Sequence, residues 1–278
     1  MPQRTHAYLF GRLNLIANYT DKQQYLLEGL ATKQPLASHG FEWGFFEVQE
    51  LESALGPVIY GYLVKYRLQS EEEVALPAEQ RLTDEEALNR VRAKAPFFLH
   101  SKSGVIAYRP VGAQIHAETF RSRFCRLFEK GHEDLLVSAE IQSIQERLRL
   151  LQALRSFSSI SRISISLHPS NPSNSRRWKR IDERIKDMNA ASYREQFDAK
   201  PGGPGLKVDE TSETVDKIVM ADDGYGKASA TGVIGSKVRT ISTAASPLVA
   251  RVLIEEDPSR VFDLLQPTLQ EILQRTQS

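Results

Sequence analysis

Five cations crowd one short segment of the chain: Arg176, Arg177, Lys179, Arg180 and Arg184. A guanidinium stays charged at all ordinary pH and offers a planar fork of N–H donors that matches the oxygens of a phosphate. Trp178, Ile181, Ile185 and Met188 recur through the same segment at the spacing of one helix face. The pattern therefore predicts an amphipathic helix over Ser175–Asn189, with the apolar seam inward and the cations largely off it. Trp178 falls on that seam and is expected to anchor the core rather than stack on a base. Cations at a helix start oppose the positive end of the helix dipole by roughly 0.3–1 kcal/mol each. An incoming phosphate would relieve both the crowding and the dipole. Against this stands a plainer reading, a solvated helix face on which Asp182, Glu183 and Asp187 are partial counter-charges.

Further cations extend the pattern on either side. Arg121, Arg123 and Arg126, with Lys130, stud the preceding helical segment; Arg147, Arg149 and Arg155 sit on the next; Arg162 falls on a strand. If these share one face, the surface would bind duplex backbone without base selectivity, and affinity would fall steeply with salt. The sequence holds no zinc-finger spacing, no helix-turn-helix pattern and no aromatic pair of the RNA-recognition type, so sequence-specific readout is not expected.

Catalytic residue patterns are sparse. Glu140, Asp198 and Asp222 stand beside expected strands, and a metal-dependent nuclease would need such acids gathered in space; acids at strand ends otherwise serve as polar caps. The six histidines lack the spacing of a His-Glu-x-x-His zinc site, and no serine sits in Gly-x-Ser-x-Gly. The stretch Asp222-Asp223-Gly224-Tyr225-Gly226-Lys227 lacks the residue order of a phosphate-binding P-loop and reads as a turn entering a strand. Cys125 lies beside Phe124 in an aromatic helix and reads as a core thiol. No cofactor and no metal is expected.

The elements that must position these residues follow from periodicity. A first strand covers Ala7–Asn18, and a helix runs over Asp21–Leu30 from a Thr20 cap. Phe41–Glu50 and Val58–Leu68 form an antiparallel pair. Ser70–Lys94 reads as a polar loop and a short helix capped at Thr83. Pro96–His100 and Val105–Pro110 make a hairpin around Ser101-Lys102-Ser103-Gly104. Phe120, Phe124, Leu127 and Phe128 define a helix over Ala117–Lys130 that ends at Gly131. A strand at Leu135–Ile144 and a helix at Gln145–Phe157 follow. Ile160–His168 alternates apolar and polar residues, the mark of a half-buried strand. Shorter strands are expected at Tyr193–Phe197, Tyr225–Ala230, Lys237–Ala244 and Leu248–Glu255, with a helix at Thr211–Met220. A last helix runs from Asp257 to about Gln274 with a kink or break at Pro267. The order predicts an α+β fold: a strand-rich module over residues 1–115 and a mixed module over 116–278 that carries the basic helix.

Composition bounds the class. The chain has 278 residues, 41% hydrophobic and 26% charged, with a formal net charge of +1. That sum conceals polarity. Residues 101–200 hold 18 Lys/Arg against 11 Asp/Glu, while the flanking thirds hold 10 against 13 and 8 against 11. A basic centre between acidic ends favours an anionic partner. One cysteine excludes an intramolecular disulfide. No run reaches the length of a membrane span, and the first residues lack the apolar core of a secretory signal, so a cytoplasmic protein is expected.

The segment 90–230 resembles a set of phage-defence proteins, namely phage-exclusion proteins of the RexA type and the DNA-binding subunit of Kiwa-type systems. The shared features are the Pro96–Leu99 and Gly104–Tyr108 hairpin, the aromatic helix with Phe120 and Phe124, the Ser164–Pro172 strand and turn, and the Ala221–Gly226 element. The resemblance implies a sequence-independent binder of double-stranded DNA that forms a homodimer and acts in antiviral defence. It transfers no functional residue individually. Two other readings stand beside this non-catalytic binder: a metal-dependent nuclease effector, and an interaction subunit whose basic face docks an acidic protein of a larger defence complex.

Overall fold

The computed structural model describes residues 5–17, 21–76, 81–132, 137–146, 149–170, 175–209, 211–243 and 247–275, with side chains outside 68–89 and Arg149. The elements are β1 (Thr5–Ile16), α1 (Lys22–Leu30), β2 (Leu36–Ser38), β3 (Phe41–Leu51), β4 (Val58–Leu76), β5 (Arg81–His100), β6 (Val105–Tyr108), α2 (Ala117–Lys130), β7 (Ser138–Ser143) and α3 (Arg149–Leu154). There follow β8 (Ser159–Leu167), α4 (Lys179–Asp187), β9 (Tyr193–Asp198), α5 (Glu213–Met220), a π-helical turn (Ala221–Tyr225), β10 (Gly226–Ile234), β11 (Lys237–Ser242), β12 (Val249–Leu253) and α6 (Pro258–Arg275). They build two antiparallel sheets with helices packed on them, an α+β architecture.

The large sheet runs β12-β1-β6-β5-β4-β3-β2, with β7 also paired to β1. It draws strands from both sides of residue 115. Successive side chains of a strand point to opposite faces, and the two phenylalanines of β5 show what that builds. Phe97 meets α2, its ring edge-on to Phe124 at 5.2 Å. Phe98 meets α6, with Phe262 at 5.8 Å. The α2 face is completed by Tyr108 stacked on Phe120 at 4.3 Å and by Leu26, Leu30, Leu127 and Phe128. The opposite face buries Tyr8, Phe10 and Tyr60 beneath Val261, Leu265, Leu269 and Ile272. β7 and β12 lie end to end beside β1, and Leu248 N–H donates to the Ile144 carbonyl at 2.8 Å where they meet.

The small sheet runs β11-β10-β8-β9. The expected alternation of β8 holds: Ile163, Ile165 and Leu167 are buried, with Ala228 and Ala230 of β10, against Trp178, Ile181 and Ile185 and against Ile218 and Met220. The outer face of this sheet is polar and carries Arg162, Ser164, Ser166 and Lys227.

A buried arginine joins the two sheets. Arg12 of β1 is 1% exposed. Its Nε donates to the Asp223 carbonyl at 2.8 Å and its Nη1 to the Ser103 carbonyl at 2.9 Å, while the guanidinium lies 4.3 Å from the centre of the Tyr225 ring. Asn14 Nδ2 donates to the Gly224 carbonyl at 2.9 Å. Gly224 holds φ at +86°, and a Cβ there would stand 2.8 Å from Cβ of Arg12, so both the backbone and the space require glycine.

Four local expectations are corrected. The expected loop and helix over 70–94 give way to strand at 70–76 and 81–94: β4 and β5 pair from Val58↔His100 to Leu76↔Arg81, with one irregularity at Lys65/Tyr66, and residues 77–80 lie outside the described residues. The strand-forming halves nearest the core start a backbone ladder, and its extension overrides the helix signal near Thr83. The α1 cap is Asp21, whose carboxylate accepts from Gln24 N–H at 3.1 Å; Thr20 lies outside the described residues. The basic helix starts at Lys179 rather than Ser175. The last helix passes through Pro267 unbroken; Pro267 and Asp263, the residue one turn before it, are both exposed, so water can serve the carbonyl that loses its N–H donor.

The α1–α2 crossing explains why α2 ends at glycine. Gly131 has an ordinary helical φ of −65°, but a Cβ on it would fall 2.6 Å from the Gly29 carbonyl oxygen. Backbone cannot yield as a side chain can. Gly131→Ala is therefore expected to lower unfolding free energy by about 1–3 kcal/mol, the range for overpacking, in a urea titration. A midpoint equal to wild type would show that the crossing is loose.

Candidate nucleic-acid interface

The basic helix is held by two buried contacts. Trp178, fully buried, donates its indole N–H to Asp223 Oδ2 at 3.2 Å, which ties α4 to the turn that grips Arg12. Asp182, also fully buried, accepts from Ser170 N–H and Oγ at 2.6 Å each and from Lys186 Nζ at 2.7 Å. Asp182 is thus withdrawn from the surface on which it was expected to offset the arginines. The apolar seam also ends sooner than its spacing suggests, because Met188 caps the helix and is 69% exposed.

All five predicted contact residues are exposed, but they are not equivalent. Arg177 Nε lies 2.7 Å from Asp216 Oδ1 of α5. Lys179 Nζ lies 3.5 Å from Glu183 Oε1 on its own helix. The side chains of Arg176, Arg180 and Arg184 form no hydrogen bond or ion pair among the described residues. Arg180 and Arg184 share one face, where like charges one turn apart repel by about 0.2–0.5 kcal/mol. The nearest acidic residue of α5, Glu213, is occupied by Lys217 at 2.8 Å. Lys217, then Arg184 and Arg180, hold Glu213 below the usual carboxylate range. Lys217 is 5% exposed and is held also by Glu195 at 2.7 Å and the Tyr193 hydroxyl at 3.0 Å. So Asp182 and Glu213 are bonded to Lys186 and Lys217, while the side chains of Arg176, Arg180 and Arg184 have no carboxylate in direct contact among the described residues.

The expected extension of the patch divides. Arg121 bonds Ser143 Oγ and Glu118. With the exposed Arg126 it lines a cleft of about 540 Å³, together with Glu129, Glu140 and Lys227. Lys227 projects from the outer face of the small sheet, opposite the face that carries α4. Arg123 points elsewhere on α2, with its guanidinium 5.8 Å from the Trp43 ring centre. Arg162 is paired to Asp198 at 2.6 Å. Arg147 lies outside the described residues, as does the Arg149 side chain. The structure therefore brings Arg176, Arg177, Lys179, Arg180 and Arg184 together and sets Arg121, Arg123 and Arg126 apart from them.

Of the three carboxylates named for a nuclease, Glu140 and Asp198 are engaged, each with its own partners. Glu140 bonds His168 Nε2 at 3.1 Å and Lys227 Nζ at 3.0 Å, and the His168 bond leads in holding its pKa down to about 2. Asp198 bonds Arg162 and Gln196. No group of three metal-ligating side chains occurs among the described residues. Cys125 is buried, and burial pushes its thiol up to about 12, so it is a poor nucleophile at neutral pH. Asp222 is the residue that sequence reasoning undervalued. It is 4% exposed, and neither carboxylate oxygen has a hydrogen-bond partner. Burial first, then the Asp223 charge, raise its pKa to about 7, with Arg275 opposing.

That shift sets a pH dependence. The folded chain keeps the Asp222 proton that an unfolded aspartate releases near pH 4, so stability from this group is greatest below pH ~4. It falls as the pH rises towards 7 and is level above that, where both states are ionised. Asp222→Asn should flatten this fall and be more stable than wild type at pH 8, by a difference on the order of a few kcal/mol. Urea midpoints at pH 5 and pH 8 measure it; parallel curves for the two proteins would refute it.

A family model described as Domain of unknown function (DUF4747) matches residues 10–270. No curated protein matches the chain. The match takes in β1 from Phe10, both sheets, the π-helical turn and most of α6, so it spans the large sheet and the inserted small one together. The chain belongs to the DUF4747 family.

Proposed function

We propose that the α4 surface binds the phosphate backbone of nucleic acid, double-stranded DNA foremost, without reading base sequence. The observation that carries this reading is the exposed group Arg176, Arg180 and Arg184, whose side chains have no hydrogen bond or ion pair among the described residues while Asp182 and Glu213 nearby are occupied. A backbone phosphate would take the charge-assisted bonds that the protein does not supply, and it would offset the repulsion along the helix. The helix backbone is held in place through Trp178 and Asp182, so binding has to order the arginine side chains but not the helix that carries them. Homodimerisation and an antiviral setting belong to the same proposal and are supported by the resemblance to phage-defence proteins.

A salt titration on a random duplex tests the reading. Wild-type affinity should fall with a log–log slope of about −0.9 per phosphate neutralised. Arg176→Glu/Arg180→Glu/Arg184→Glu should bind at least tenfold more weakly and with a shallower slope by roughly 2–3. Arg121→Glu/Arg126→Glu, in the cleft, should change binding far less. Equal affinities of wild type and the α4 variant would overturn the assignment. For the antiviral setting, bacteria expressing the chain should plate fewer phage than cells expressing the α4 variant; equal plaque counts would remove that part.

A further inference from the structure

We infer that Asp216 is a built-in brake on the α4 surface: it occupies Arg177 in the free protein and so sets how many arginines meet the polyanion. This rests on the function proposed above. Arg177 and Asp216 come from different elements, α4's approach and α5, and meet at 2.7 Å through Nε, with side chains 40% and 29% exposed. Asp216 is distinct from the other acids nearby. Asp182 is buried under Lys186 and Ser170. Glu213 is bonded to Lys217 beneath it. Glu183 faces Lys179 on the same helix at a looser 3.5 Å. Only the Arg177–Asp216 pair joins a predicted contact arginine to a carboxylate through a close hydrogen bond, among the described residues. An exposed pair of this kind is weak, so a phosphate can displace the carboxylate, and the competition lowers affinity by a modest factor. Asp216 is a positioning residue: it touches Arg177, not the nucleic acid.

The test compares wild type, Asp216→Asn, Asp216→Glu, Asp216→Asn/Arg177→Ala and Asp187→Asn on the same random duplex across salt. Thermal melts report folding, and Asp216→Ser replaces Asp216→Asn if the latter melts early. Asp216→Asn should bind about two- to fivefold more tightly. Its salt slope should steepen by roughly 0.9, the mark of one more neutralised phosphate. Asp216→Glu should stay near wild type. The gain should vanish without Arg177. Asp187→Asn removes an exposed acid from α4 without freeing an arginine, and should leave the slope unchanged. If Asp216→Asn matches wild type in affinity and slope while the Arg176/Arg180/Arg184 reversal abolishes binding, the brake is refuted and the interface stands. A gain that persists without Arg177, or that Asp187→Asn reproduces with its slope, also refutes it. If the triple reversal leaves binding intact, the interface itself falls and takes the brake with it.

Discussion

The arrangement depends on one guanidinium removed from water. Arg12 stands in the middle of a strand of the large sheet, and its bonds run to carbonyls of two separate turns and to the face of Tyr225. Burying a cation is tolerable only where its donors are met and its charge is offset. Here backbone oxygens and an aromatic face meet most of that need, and the Asp223 carboxylate lies in the same turn. That carboxylate accepts the Trp178 indole, so a chain of contacts runs from β1 through the π-helical turn to the helix that bears the arginines. The orientation of α4 relative to the large sheet is therefore fixed by polar contacts of defined geometry as well as by apolar packing.

The same economy of acids shapes the surface. Asp182 of α4 faces inward, towards Lys186 and the Ser170 turn, and Glu195 of β9 holds the buried Lys217 of α5, so these acids fasten the helices to their sheet. The arginines left outside have few partners. A near-neutral chain thus carries a locally positive face, because burial separates charges that composition would cancel. The cleft between α2 and the outer side of the small sheet shows the contrast: there Arg121 and Lys227 each have a carboxylate within reach.

Much of this was legible in the sequence where the signal is local. The alternation of Ile160–His168, the hairpin around Ser101–Gly104 and the phenylalanines of α2 each predicted its element. The basic helix was found from its seam, although its start was placed early: Trp178, pinned to Asp223, precedes the first helical residue. What failed to show was set by distant partners. The long β4–β5 ribbon arises from strand pairing, which no local pattern of glutamates and threonine announces. Asp182 and Glu183 are adjacent acids on one helix, yet one is buried and the other exposed, and only the fold distinguishes them. Arg12 offered a faint signal, a lone cation within Leu-Phe-Gly-Arg-Leu-Asn-Leu. The arginines of α2 could have been separated in advance, since positions 121 and 123 lie about 200° apart around a helix of 3.6 residues per turn.

The pairing of β1 with β12 has a consequence for how the molecule comes into being. Thr5 lies opposite Leu253, so β1 receives this neighbour only after the whole stretch between them has been made. Everything between Ile144 and Leu248 departs from and returns to one point beside β1, in the manner of an insertion with a closed stem. The small sheet has its own apolar centre and can organise while the nascent chain is still tethered. The large sheet cannot complete this pairing until β12 has been made, and until then the flank of β1 stays open to mispairing.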